Sequence, residues 1–337
     1  MFKSKNFFVF ILITAMLFTS TACTKKAKKP SPEEEEAKKI PEIIKELEKQ
    51  ILTVTYMADL VPYYERSVKQ REELAKKELQ EEILKKGSTS KESNSKSSEE
   101  SGDSKESGGS EEGGKEGGKS PNQVQDKPDP LMFQEMLLAD VIKEEKVLEE
   151  DKDAKKVPQD LNEVWKKISD TVIKLHQTWN TLEPMLLSKN AASVSILEFD
   201  KNLELLTKHS LNHDYFNTIL LSNRLTYCLA EFTAYGKAKI PPTVYSLKYF
   251  LRDSILKAAK GDFAGSKEDL AIIEAQSVNV KNKLKGKNAK IIIEKFEASI
   301  KNLNDAIDQK DVNLIKINAS IVMKNVISMA NDIESQI

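Results

Sequence analysis

Residues 160–186 read DLNEVWKKISDTVIKLHQTWNTLEPML, and this stretch decides the fold. Leu161, Trp165, Ile168, Val172, Leu175, Trp179, Leu182 and Leu186 recur at steps of three and four, the spacing that a helix gathers onto one face. Asp160 with Glu163 three residues later has the form of a capping box at its start. So long an apolar stripe needs other helices to cover it, and the chain supplies them. A helix carrying Ile196, Phe199, Leu203 and Leu206 comes next, then one opening at Asp214 with Phe216, Ile219, Leu220, Tyr227 and Ala230. The apolar residues of the latter spread over more than one face, which predicts the most buried helix. Beyond a break from Gly236 through Pro242, a helix over 242–260 turns Val244, Leu247, Leu251, Ile255 and Ala258 inward. Residues 158–337 contain no convincing strand. The expected fold is all-α, an antiparallel helical bundle.

The last three helices read as a faint copy of the first three. At an offset of 98, Trp165, Val172, Leu175, Leu182 and Leu186 match Phe263, Leu270, Ile273, Val280 and Leu284. At an offset of 97, Phe199, Leu203 and Leu206 match Phe296, Ile300 and Leu303, and Asp214 and Asp311 open the final helix of each set. The pattern predicts two duplicated three-helix units joined by the helix over 242–260.

Upstream, residues 41–85 also read as helix. Pro41 suits a first helical position, and Ile44, Leu47, Ile51, Val54, Met57/Ala58 and Val61 form its stripe. Pro62 is expected to kink or break it. The continuation to Leu84 is charge-rich, with Val68, Leu74, Leu79 and Ile83 as a thin apolar seam. Residues 86–130 are expected to be a disordered low-complexity linker. From Gly87 to Pro130 there are eleven serines, eight glycines, ten acids and six lysines, with Val124 alone from the aliphatic and aromatic set, so little burial is available to offset ordering entropy. Residues 131–157 read as a helix running to about Glu150 (Phe133, Met136, Leu137, Val141) and an acidic connector.

The chain begins with Lys3 and Lys5, an apolar run from Phe7 to Phe18, and Ser20-Thr21-Ala22 before Cys23. The run is short of the roughly 20 residues a membrane span needs, and the layout is that of a cleaved secretory signal. With a cysteine at the first mature position, residues 1–22 and Cys23 resemble a bacterial lipoprotein signal, departing from the commonest pattern at Ser20. The resemblance implies that Cys23 is acylated, palmitate among its lipids, and that the chain sits lipid-anchored on the extracytoplasmic face of the cell membrane. Residues 23–40 then read as a tether, with Lys25, Lys26, Lys28 and Lys29 ahead of four glutamates, Glu33 to Glu36. Those lysines either meet an anionic lipid surface or merely flank the signal.

The charge balance excludes a basic nucleic-acid binder. The chain holds 52 basic and 53 acidic side chains, and loss of Lys3 and Lys5 with the signal leaves 50 against 53. With Cys23 lipidated, Cys228 has no thiol to pair with, and on an apolar helix it reads as a small core residue.

Motifs for chemistry are few. His209 and His213 are four apart with Asp214 adjacent, a spacing that on a continuous helix would suit zinc or copper. They fall at a turn between two helices, where Asn212 and Asp214 have turn and cap character, so polar turn residues are the expectation and metal ligation the alternative. Arg224, Tyr227 and Glu231 share a face of the central helix and read as the lining of a polar pocket or as part of an Arg–Glu bridge between helices. Glu-x-x-His, His-Glu-x-x-His, Cys-x-x-Cys-His and Gly-x-Ser-x-Gly are all missing from the sequence. The expectation is a membrane-anchored, non-enzymatic binding or scaffold module with a protein partner and no cofactor. Its rival is a small-ligand or metal-binding bundle acting as sensor or carrier.

Overall fold

The computed structural model describes residues 32–89, 135–148 and 156–336. Among them are nine α-helices and no strand: α1 (Pro32–Thr89), α2 (Ala139–Glu145), α3 (Leu161–Ser188), α4 (Ser193–Leu211), α5 (Tyr215–Phe232), α6 (Pro242–Ala259), α7 (Phe263–Lys281), α8 (Ala289–Asp308) and α9 (Val312–Ser335). The all-α bundle expected from periodicity is the observed architecture, and the stripes named above face one continuous core, except the seam Leu74, Leu79 and Ile83, which is exposed.

The packing order corrects the expected three-helix units. α1 packs on α3 and α5, α3 on α4, and α4 on α5; likewise α6 packs on α7 and α9, α7 on α8, and α8 on α9. Each set of four is a closed ring of antiparallel neighbours, and α5 against α6 joins the two rings. α6 is therefore the first helix of the second unit, and α1 holds the same place in the first. The bundle extends beyond residues 158–337, because Ile40 to Tyr64 of α1 and Leu138 to Ile142 belong to its core.

α1 also corrects two boundaries. It begins at Pro32, inside the expected tether, and runs through Pro41 and Pro62 unbroken to Thr89. A proline within a helix costs about 3 kcal/mol, and here packing outweighs it: Leu60, Val61, Tyr63 and Tyr64 around Pro62 are all buried. Pro41 lies against Gly236, after the 3₁₀ turn Thr233–Tyr235; a Cβ there would stand 2.9 Å from the Pro41 ring carbons. That contact requires glycine.

Buried polar groups of α1 address a different element at each turn. The Gln50 amide donates to Thr178 of α3 at 3.0 Å, Thr55 to Ser222 of α5 at 2.8 Å, and Glu48 pairs with Lys248 of α6. Asp59 accepts from the backbone N–H of Leu137, Leu138 and Ala139 at 2.8, 2.8 and 2.9 Å. This capture explains why the helix expected from 131 to about 150 is interrupted: Glu135 is helical, residues 136–138 are not, and a new helix runs over Ala139–Glu145, its first N–H groups taken by Asp59 and its end set by Lys146 in the left-handed region at φ 55°.

The caps are legible in part. Asp160 accepts from Asn162 N–H, but Glu163 is exposed and the capping box is not completed. Asp214, Asp262 and Asp311 each cap their helix, and each follows a residue at positive φ: His213, Gly261 and Lys310. One turn geometry thus closes a helix and opens the next three times over.

Candidate functional site

The two histidines do not converge on a cation. His213 holds the left-handed turn position at φ 57° and stacks its ring on Trp165, 4.8 Å between centroids and 7° from parallel. His209 is half-buried and its Nδ1 lies 2.9 Å from Asp214 Oδ2. The Asn217 side-chain amide foremost, and His209 after it, hold the Asp214 carboxyl below its usual range. Among the described residues no cluster of three or more His, Cys, Asp or Glu is placed to hold a metal.

Arg224, Tyr227 and Glu231 take partners on neighbouring elements. The Arg224 guanidinium donates to Glu198 of α4, at 2.9 Å through Nε, and lies 4.9 Å over the Tyr227 ring. The interhelical bridge foreseen for Arg224 exists, but with Glu198 as its acid. Glu231 is exposed and accepts from Ser195 instead. Beside them the Cys228 thiol is pushed up to about 12 by burial and then by the charge of Glu198, so at neutral pH it is a protonated core group rather than a nucleophile.

The concentrated electrostatics lie where the two units meet. Lys248 contacts Glu48 and sits 2.9 Å from Glu145, and Arg252 contacts Glu145 on its other oxygen. The remaining Arg252 donors reach Asn223 at 2.8 Å and Thr226 at 2.7 Å. All of these residues are buried. Burial alone would raise the Glu145 carboxyl, but Arg252 and Lys248 hold it below the usual range; burial would lower Lys248, and Glu145 and Glu48 hold it above. Two acids and two bases neutralise one another across α1, α2 and α6, with the neutral Asn223 and Thr226 of α5 taking the remaining donors. A chemically poised group would have a partner missing, and here each charge answers another, so the cluster acts as a register pin between helices. Sequence reading missed it because its members are separated by up to 204 residues and lie on faces that look like ordinary charged surface.

Open surface is found elsewhere. From Lys69 to Lys85 every residue of α1 is exposed, so the helix leaves the body as an arm about 25 Å long at 1.5 Å per residue. Leu74, Leu79 and Ile83 are each about 60% exposed there. The arm keeps its helix by local charge pairing: Glu65 meets Lys69 at 2.9 Å, and Glu72/Lys76, Glu73/Lys77 and Glu81/Lys85 repeat the same four-residue spacing. At its base Arg66 pairs with Glu135 at 3.1 Å, so the chain leaving at Thr89 returns to the foot of the arm. Two surface depressions accompany it. One, of about 400 Å³, lies between α1 and α3 beside Glu42, Ile43 and Thr178; the other, of about 360 Å³, lies between α7 and α8 beside Ser277, Phe296 and Glu297.

Cys23 and the signal that points to it lie outside the described residues, as does the linker from residue 90 to 130. Among the described residues no helix is long and apolar enough to cross a membrane. Comparison of the chain with protein-family models, curated proteins and solved structures finds no match.

Proposed function

We propose that this protein is a lipid-anchored, extracytoplasmic helical scaffold: a non-enzymatic module that holds a protein partner close to the outer face of a membrane. The observation that carries the reading is the continuous α1 helix. Its stretch from Ile40 to Tyr64 packs on α3 and α5 in the first unit, and its last third, exposed from Lys69 to Lys85, stands clear of the body as a self-supporting rod. At 58 residues it is about 87 Å long, and its first residue follows Cys23 by only nine positions. A rigid element that starts beside the lipid and ends well beyond the body presents surface at a set distance. It does not enclose a substrate.

The test has two arms. Cys23→Ser should move the protein from the detergent phase to the aqueous phase, or leave the precursor uncleaved. Leu79→Cys places an accessible thiol on the arm, since Cys228 is buried; a cross-linker there should join the chain to one protein neighbour in its own membranes. Retention of the Cys23→Ser variant in the detergent phase would overturn the anchor. A stoichiometric metal in the purified protein, lost when His209 and His213 are replaced, would overturn the scaffold in favour of a metal-binding bundle.

A further inference from the structure

The antiparallel helices of both units run between two ends of the bundle, and the two ends differ in charge. Ile40 and Pro41 of α1 lie against Gly236, and Ser195 near the start of α4 meets Glu231 near the end of α5. Gln336, just past α9, donates to the Lys285 carbonyl oxygen at 3.4 Å. The start of α1, the loops 189–192, 236–241 and 282–288, and the end of α9 therefore share one end. Those three loops hold Lys189, Lys237, Lys239, Lys283, Lys285 and Lys287, and no acid. The loops of the far end, 212–214, 260–262 and 309–311, hold three aspartates and two lysines. The helix starts repeat the contrast. α3, α5, α7 and α9 start at the far end, and an aspartate caps each. α4, α6 and α8 start at the basic end after Ala192, Pro241 and Asn288, none of which supplies a side-chain cap. A helix start favours an acid through its open N–H groups and its dipole, so helix stability does not account for the exclusion of acids there. The same end turns apolar side chains outward. Val194 and Leu197 of α4 are 75% and 64% exposed, Leu187 at the end of α3 is 51% exposed, and so is Ile291, which the shift of 97 matches to Val194.

We propose that this end of the bundle is a membrane-docking face, which seats on an anionic lipid surface with its loop lysines at the phosphate headgroups and Leu187, Val194, Leu197 and Ile291 entering the interface. Such a surface presents negative charge with hydrocarbon beneath it, and lysine loops carrying apolar tips match both layers. α1 begins nine positions after Cys23, a reach of at most about 30 Å for extended chain, so of the two ends this is the one held near the lipid. Glu33 to Glu36 in that stretch are balanced in number by Lys25, Lys26, Lys28 and Lys29, and the surplus positive charge comes from the loops. Seated in this way, the helices stand along the membrane normal and the arm points away from the surface. The face rests on its own charge and apolar pattern; that a membrane is the surface within its reach rests on the anchor reading above.

The experiment uses a chain of residues 24–337, which keeps every described residue and carries no lipid. It is mixed with vesicles of phosphatidylcholine, alone or with phosphatidylglycerol, and separated by flotation. The chain should float with the anionic vesicles and not with the neutral ones. A lysine close to such a surface is worth about fivefold in affinity, so Lys237→Glu, Lys285→Glu and Lys287→Glu together should weaken binding about a hundredfold. Lys166→Glu, Lys167→Glu and Lys208→Glu make the same charge change on exposed residues toward the far end. They should stay within about fivefold of wild type, since salt screens over roughly 8 Å. A polarity-sensitive dye on Val194→Cys should shift to the blue on anionic vesicles, whereas on Leu211→Cys, exposed at the far end, it should not; Cys228 is buried and does not take the dye. If either lysine triple does not fold, the dye shifts decide. No flotation with anionic vesicles, equal losses from the two lysine sets, or equal dye shifts at the two ends would overturn the face. Binding to soluble polyglutamate as tight as to vesicles would overturn the membrane as its occupant. If the face fails, phase partition of Cys23→Ser still reports the anchor; if the anchor fails, the chain without lipid still reports the face.

Discussion

The two four-helix units share a packing order and a core register but complete their interiors differently. The first closes the space between its second and third helices with Trp179, Phe199 and Phe232 in mutual contact. The second has Ser277, Phe296 and Met329 at the same positions, all of them buried, and closes its interior with smaller side chains. What the helices need in order to pack is an apolar residue every three or four positions, and both units have it. What lies in the slot is decided by single side chains, and those are free to diverge.

The largest effect that would sharpen this contrast is on the Trp179 slot. Trp179→Ala removes a buried indole and leaves Asp200 without its donor, so a loss of about 3–5 kcal/mol is expected. Ser277→Ala, at the matching buried position, removes only a hydroxyl bonded to the backbone and should cost about 1 kcal/mol. Denaturant unfolding of the two variants measures both. Equal losses would show that the slots are not equivalent and would break the comparison.

A smaller effect should be the same in both units. Asp214 and Asp311 cap α5 and α9 from matching positions, each preceded by a left-handed residue. Replacing either by Ala should cost about 1 kcal/mol, read as paired shifts in thermal midpoint. Asp214→Ala costing several times more than Asp311→Ala would show that the His209 contact, present only in the first unit, matters more than the cap.

A pH-dependent effect belongs to the second unit alone. Asp269 of α7 is buried and faces Lys257 and Asp253 of α6, with Lys257 2.7 Å from Asp269 and 3.0 Å from Asp253. Burial, against the pull of Lys257 and with Asp253 adding to it, raises the Asp269 carboxyl from 3.8 to about 7. The folded chain therefore keeps this proton to about pH 7, whereas the unfolded chain releases it near pH 4. The contribution is fully present below pH 4 and is lost as pH rises through 7. Asp269→Asn should flatten the fall in stability between pH 4 and 7, seen as thermal midpoints that drop less across that range than in the wild type. The first unit has Thr171 at the matching position and no such slope. An unchanged pH profile in Asp269→Asn would place the titration elsewhere.

Much of this was legible without coordinates. The stripe from Leu161 to Leu186 faces the core, Leu161 only partly, and Ile196 to Leu206 and the inward residues of α6 are buried as their spacing implies. Asp214 and Asp311 are caps, as their positions before apolar runs suggested. The early start of α1 also had a signal: Pro32 followed by four glutamates has the composition of a helix N-terminus. Its proximity to charged lysines made it resemble a tether. The passage through Pro62 had no signal, because propensity argues for a break and only the packing of Leu60 to Tyr64 overrules it.

What the sequence determined by itself was the helical period, the caps and the register of the repeat, since these are properties of neighbours along the chain. The tertiary structure alone decided that α1 is the missing fourth helix of the first unit, because residues 90–160 separate it from the helices it completes. It alone brought Glu48, Glu145, Lys248 and Arg252 into one buried cluster, and Asp59 onto the start of α2. A charged residue on a helix looks alike in sequence whether it meets water or its counter-charge. The difference is the burial that other helices impose, and burial is a property of the assembled fold.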